Sequence, residues 1–305
     1  MNRRSQGLID VGLLLMLAVM WGSAFPFIEE ALTGFDPAAI AAGRITLAAI
    51  LLSVMARMRG ERVTADPRAR WRLAWAGILG ASLPFLLIAW GQQRVTAAES
   101  ATLMAFTPLA TALLAHLFLK EERLGGLLLS GLILGIAGVA TLAGLPEAIV
   151  RNDILTPAHL LADGAILLGA FGYAASSILL RTVRNGGAIA HAAAMMRAAA
   201  LVSLVAAPAF SSWPEQPPLP AVLALVELGL VPSGIAAIVL VRLLQRRSPN
   251  FVALNNFLVP PVGVALGVVW LGESVTTRQL IGLFLLLLAL ALAEAGRRRA
   301  QPRPR

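Results

Sequence analysis

Apolar runs of about 20 residues recur ten times along this chain, separated by short polar stretches rich in arginine. A helix rising 1.5 Å per residue needs about that length to cross a hydrocarbon core. The pattern therefore predicts ten transmembrane helices, near residues 10–29, 37–56, 72–93, 97–118, 125–144, 158–180, 188–208, 219–243, 250–271 and 277–295. Connections are short, except the basic "RMRGERVTADPRARWR" and two loops near 145–157 and 209–218. The first run follows "MNRRSQGLID" and has the outline of a signal peptide. No soluble domain follows it, so it reads as a retained first span.

Composition turns this pattern into a class. The 305 residues are 58% hydrophobic and 13% charged, with a mean hydropathy of +0.79. A soluble domain carries about a quarter charged residues. The expectation is an all-α integral membrane protein with the lipid bilayer as its solvent. The net charge of +9 does not point to nucleic acid, because the basic residues sit in short clusters between apolar runs. With the N-terminus in the cytoplasm, the inner loops take all but five of the 25 Lys and Arg. Arg94, Arg151 and Arg278 fall outside, and Arg44 and Arg197 lie within apolar runs. The positive-inside rule then puts both termini in the cytoplasm. With no cysteine, disulfides and thiolate chemistry are excluded.

Sliding the chain against itself by 152 residues aligns Glu121 with Glu273, Pro108 with Pro260, Gln93-Arg94 with Gln245-Arg246, Gly77 with Gly229 and Trp21 with Tyr173. The reading is a duplication, residues 1–150 and 151–305. Five helices per unit is an odd number, so the second copy enters the membrane from the opposite side. Inverted repeats recur in secondary transporters, which bind substrate near the midplane between the repeats. Two near-equivalent halves make outward-open and inward-open states similar in energy.

Several stretches resemble a known family. "WGSAFPF", "AAGRITLAA", "FTPLATALLAHLFLKEERL" and "PPVGVALGVVWLGE" are similar to EamA-type transporters of the drug/metabolite transporter superfamily. The resemblance covers nearly the whole chain as two EamA units. It implies a ten-helix transporter of small metabolites, often an amino-acid exporter, in the bacterial inner membrane. One departure stands out: Arg197 lies one residue off the 152 offset from Arg44.

The residues that transport would use are polar or bulky groups within apolar runs. Pro26, Pro84, Pro108, Pro232 and Pro260-Pro261 each free the carbonyl four residues back and kink a helix. In lipid such carbonyls need protein or a wet cavity beside them. Helices 5 and 10 lack proline and read as scaffold. Arg44 and Arg197 are costly at membrane depth, at least ~2.5 kcal/mol unless paired or hydrated. Each is either a cationic site for a substrate carboxylate or a structural pair. Asn255 and Asn256 cluster with the carbonyl freed by Pro260, for substrate contact or for helix-to-helix hydrogen bonding. Trp21 lies at mid-depth, and Gly22-Ser23-Ala24 leaves room for the Pro26 kink; Trp21 and Tyr173 flank a central cavity or simply pack. The substrate-site candidates are thus Trp21, Ser23, Arg44, Pro108, Tyr173, Arg197, Asn255 and Asn256. Glu99, Asp163 and Glu227 are candidates for proton coupling, with hydration at the outer boundary as the competing account, and hydration also serves for Gln92 and Gln93.

No Walker A loop offers a nucleotide site. An integral-membrane enzyme needs clustered His, Asp or Glu at one interface, whereas His116, His159 and His191 are scattered along the chain. A passive channel needs rings of repeated charges. The sequence favours a secondary transporter working by alternating access on small polar metabolites, with no metal and no cofactor expected. Substrate, coupling ion and oligomeric state are not encoded in any motif.

Overall fold

The computed structural model describes residues 3–118, 126–142, 156–183, 185–211, 214–246 and 255–300. Glu121, Trp213 and most of the loop near 145–157 lie outside these. Every regular element among the described residues is a helix. The first half holds α1 (Arg3–Gly22), α2 (Ala24–Leu32), α3 (Pro37–Met58), α4 (Pro67–Gly77), α5 (Leu83–Gly91), α6 (Ala97–Met104), α7 (Thr107–Phe118) and α8 (Gly126–Leu142). The second holds α9 (Pro157–Arg181), α10 (Ala188–Phe210), α11 (Leu219–Leu230), α12 (Ala236–Arg246), α13 (Asn255–Leu271) and α14 (Thr277–Ala300). Eight helical stretches are long and apolar enough to cross a membrane; Leu129–Leu142 and Asn255–Leu271 are shorter. The apolar pattern predicts ten spans, and the described residues supply eight of that length.

Local chemistry sets the ends and breaks. Pro37, Pro67 and Pro157 occupy first helical turns, where the missing N–H costs nothing. The Asp66 carboxylate caps α4 by accepting from the Arg68 amide at 2.9 Å, and the Thr96 hydroxyl caps α6 by accepting from Glu99 at 3.1 Å. Pro26 leaves the Gly22 carbonyl without its helical donor. The chain turns at Ser23 between α1 and α2, and the Ser23 hydroxyl donates to the Met20 carbonyl at 3.0 Å. The matching position in the second half is Ile178, which has an N–H, and α9 runs through it unbroken. Two π-helical turns, Ile78–Ser82 and Val231–Ile235, join α4 to α5 and α11 to α12. Pro84 closely follows the first, and Pro232 lies within the second.

The halves interlock. Helix α3 packs on α10, and α8 on α14. The α4–α5 stretch packs on α9 and α10, as α11–α12 packs on α1–α2 and α3. Helices α6 and α7 meet α9, as α13 meets α1. Exchanging the halves leaves this set of partnerships unchanged. Small residues permit the close crossings. A Cβ on Gly22 would meet the Val262 side chain at 2.6 Å and the Gly263 amide nitrogen at 3.1 Å, and one on Gly263 would meet Ala101 at 2.5 Å. Helices α8 and α14 expose Ile133, Ile136, Ile281, Phe284 and Leu288, an apolar face suited to lipid.

Candidate functional site

A cavity of about 360 Å³ lies where the two halves meet. Every helical stretch except α8 and α14 has a residue on its wall or runs directly into one that does. Its lining is arranged in pairs at the 152-residue offset. Trp21 and Tyr173, Arg44 and Met196, Gly80 and Pro232, Phe85 and Ala237 all face it. So do Ile88 and Leu240, Met104 and Asn256, Thr107 and Val259, Pro108 and Pro260. The positions repeat while the chemistry does not.

Among the described residues, Arg44 is the one charged residue of that lining. It is 4% exposed, deep on α3. Its Nε and Nη2 donate to the Ser233 hydroxyl at 3.2 and 3.0 Å. Ser233 in turn donates to the Leu228 carbonyl at 2.7 Å. That carbonyl is the one Pro232 deprives of its helical donor. The π-helical turn thus converts a proline defect into an anchor for the guanidinium. The guanidinium carbon also lies 3.8 Å from the centre of the Phe85 ring, and Tyr173 meets Phe85 edge-on at 6.4 Å. Glu227, on α11, stands within Coulombic reach of Arg44, and its Oε2 is buried without a hydrogen-bond partner.

Of the sequence candidates, Trp21, Arg44, Pro108, Tyr173 and Asn256 share this cavity. Ser23, Asn255 and Arg197 do not. Ser23 is buried and spends its hydroxyl on its own helix. Asn255 is 1% exposed, and neither amide atom has a hydrogen-bond partner. Arg197 is exposed and donates to the Ser53 hydroxyl at 3.3 Å. The one-residue displacement accounts for this: Met196 holds the position matching Arg44, and the next residue is turned by about 100° around the helix. Phe85 and Ser233, which line the cavity and contact Arg44, were not among the sequence candidates; the dipeptide Pro232-Ser233 inside an apolar run was the available signal.

Hydration at an outer boundary fits the exposed Gln93 but not Gln92, Glu99 or Asp163. Gln92 is buried and donates to the Phe25 carbonyl at 2.9 Å, tying α5 to α2. Glu99 and Asp163 are each 3% exposed. His159, isolated in the sequence, stands beside both, its Nε2 at 3.1 Å from Glu99 Oε1 and 3.9 Å from Asp163 Oδ2. Glu227, half-buried, is apart from that group.

The sequence profile of the EamA-like transporter family matches residues 8–144 and again 160–294. A protein of Streptantibioticus cattleyicolor named as a probable terminal-alkyne amino-acid exporter is 31% identical over 271 residues, 88% of each chain. The uncharacterized transporter YdfC of Bacillus subtilis is 26% identical over 271 residues, 86% of this chain and 83% of its own. The uncharacterized inner membrane transporter YedA of Escherichia coli is 26% identical over 292 residues, 90% of this chain and 87% of its own. A solved crystal structure shares the fold with a TM-score of 0.63 at 20% identity, covering 98% of this chain and all of that one.

Proposed function

The chain belongs to the EamA-like transporter family, and from that premise we propose that it exports small amino acids or related metabolites across the inner membrane by alternating access. The observation that carries the substrate class is a single guanidinium fixed on the wall of an otherwise largely apolar cavity of about 360 Å³. Such a cavity suits a small molecule with one carboxylate and an apolar body. The carboxylate lies on Arg44, whose remaining N–H groups are free to form charge-assisted bonds. An ammonium group finds the faces of Trp21 and Tyr173 and the side-chain carbonyl of Asn256. The unlike chemistry of the paired wall positions gives the substrate one orientation. A relative named as a probable amino-acid exporter supports the same class.

The proposed architecture is ten spans in two inverted five-helix units, residues 1–150 and 151–305, with both termini cytoplasmic. The twofold family match, the exchangeable helix contacts and the paired lining support it. The arginine-rich loops support the orientation. Glu227 is the proposed carrier of a coupling proton, since it reaches Arg44 electrostatically without lining the cavity. The test is counterflow in proteoliposomes with a panel of apolar amino acids, under imposed proton or substrate gradients. Saturable flux lost in Arg44→Gln is expected. No flux of any carboxylate, or full flux in Arg44→Gln, removes the assignment.

A further inference from the structure

Away from the cavity, the first turn of α6 and the first two turns of α9 bring together Glu99, His159 and Asp163. None of the three lines the cavity. His159 and Asp163 are four residues apart on α9, which stacks them on one face. Glu99 comes from the opposite half of the chain, on a turn held by its Thr96 cap. One ligand atom from each residue lies within 4.8 Å of the others.

Two features separate this group from a satisfied polar cluster. The imidazole bonds Glu99, yet both Asp163 oxygens are buried with no hydrogen-bond partner. An ionised buried carboxylate left in that state costs several kcal/mol unless a cation or a proton joins it. Arg278, at the start of α14, acts on Asp163 only as part of the surrounding field. Second, the side chain of His159 is 32% exposed, which gives an entry path from solvent to two carboxylates that are nearly sealed. We propose that Glu99, His159 and Asp163 bind a divalent transition-metal ion of the Zn²⁺ class.

The donor set is one imidazole nitrogen and two carboxylate oxygens, which suits Zn²⁺ with water in a fourth position. Bonds of about 2.0–2.1 Å in a tetrahedron place ligand atoms roughly 3.3 Å apart. The 3.1 and 3.9 Å separations from His159 Nε2 bracket that value, so small rotations of the side chains complete the shell. The ion would join α6 of one half to α9 of the other. On the transporter reading above, where the halves move against each other, bound metal clamps them and slows flux.

Binding is measured on the tag-free, full-length protein in lipid nanodiscs, by titration calorimetry with Zn²⁺ and by the visible spectrum of Co²⁺. One site per chain and a metal-dependent rise in Tm are expected. Affinity falls at least ~10-fold in Asp163→Asn and in His159→Gln, and stays unchanged in His116→Gln. The metal-free Tm of each variant checks that it folds, and partly exposed His159 guards against loss of fold at Asp163. Absence of a site in the wild type overturns the proposal, as does a site that survives both substitutions. A wild type that binds no metal while Asp163→Asn shifts the pH profile of flux also overturns it, in favour of a proton site. Calorimetry needs no transport, so a failure of the exporter reading leaves this result legible by itself.

Discussion

Ser233→Ala tests how the cavity's one charge is held. The hydroxyl gives a hydrogen bond to the Leu228 carbonyl at 2.7 Å and receives two from Arg44 at 3.2 and 3.0 Å. Its loss strands a carbonyl that Pro232 cannot serve and two N–H groups of a buried guanidinium. A neutral hydrogen bond contributes about 1 kcal/mol net, and one to a charged group about 1.5–3 kcal/mol. The two guanidinium contacts share one oxygen and count once. In water-soluble proteins the loss would reach about 2.5–4 kcal/mol. Interhelical hydrogen bonds in membrane proteins average about 0.6 kcal/mol and reach about 1.7, because the unfolded chain in lipid finds other partners. With that discount the expected loss is about 2 kcal/mol. Reversible unfolding in mixed micelles measures it, in a cycle of wild type, Ser233→Ala, Arg44→Met and the double variant. A coupling of about 1 kcal/mol is expected, and Ser233→Thr restores most of the loss. A coupling indistinguishable from zero refutes the anchor, whatever the single variants do.

Further predictions address packing, capping, the cavity wall and orientation. Gly77→Ala drives a methyl group into the Met195 backbone. It should cost about 3 kcal/mol or more, and an unchanged Tm would contradict the close approach of α4 and α10. The Glu273 carboxylate accepts from the Ala97 and Ala98 amides at 2.8 and 3.0 Å, capping α6 from the end of α13. Glu273→Ala should cost about 1–2 kcal/mol and speed hydrogen exchange at those two amides, which unaltered exchange would disprove. Trp21→Ala, at normal expression, should reduce transport about tenfold, the equivalent of 1.4 kcal/mol; undiminished transport takes Trp21 off the binding wall. A reporter active only outside the cytoplasm, fused after Arg305, should be silent, and a signal would reverse the proposed orientation.

Apolar run length was enough to read an all-helical chain with multiple membrane spans, because lipid leaves the backbone few alternatives. The 152-residue offset reached further. It links positions that occupy corresponding places on one wall, including Trp21 with Tyr173 and Pro108 with Pro260. It also carried the information that separates Arg44 from Arg197, since a one-residue slip is a turn of the helix face. Other features are not written in any single helix. Ser233 acquires its role only when α3 brings Arg44 against it, a contact 189 residues away in sequence. His159 looked solitary because its partners are set by the packing of α6 on α9 and by one turn of α9. Gln92 and Glu99, near span ends, read as solvated, whereas neighbouring helices cover them.

The two π-helical turns have a consequence for how this chain tolerates change. A π-helical turn takes in one residue more than a regular turn, and regular winding of the same residues would advance everything beyond it by about 100° around the helix axis. Rewinding Val231–Ile235 into regular α-helix with its length kept would therefore do more than change a few hydrogen bonds. It would rotate α12 against α11 and swing Ala237 and Leu240 off the cavity wall, while their distance along the chain hardly changed. The same holds for Ile78–Ser82 with Phe85 and Ile88. These turns act as phase settings: each absorbs one residue and keeps the side chains beyond it on the cavity wall.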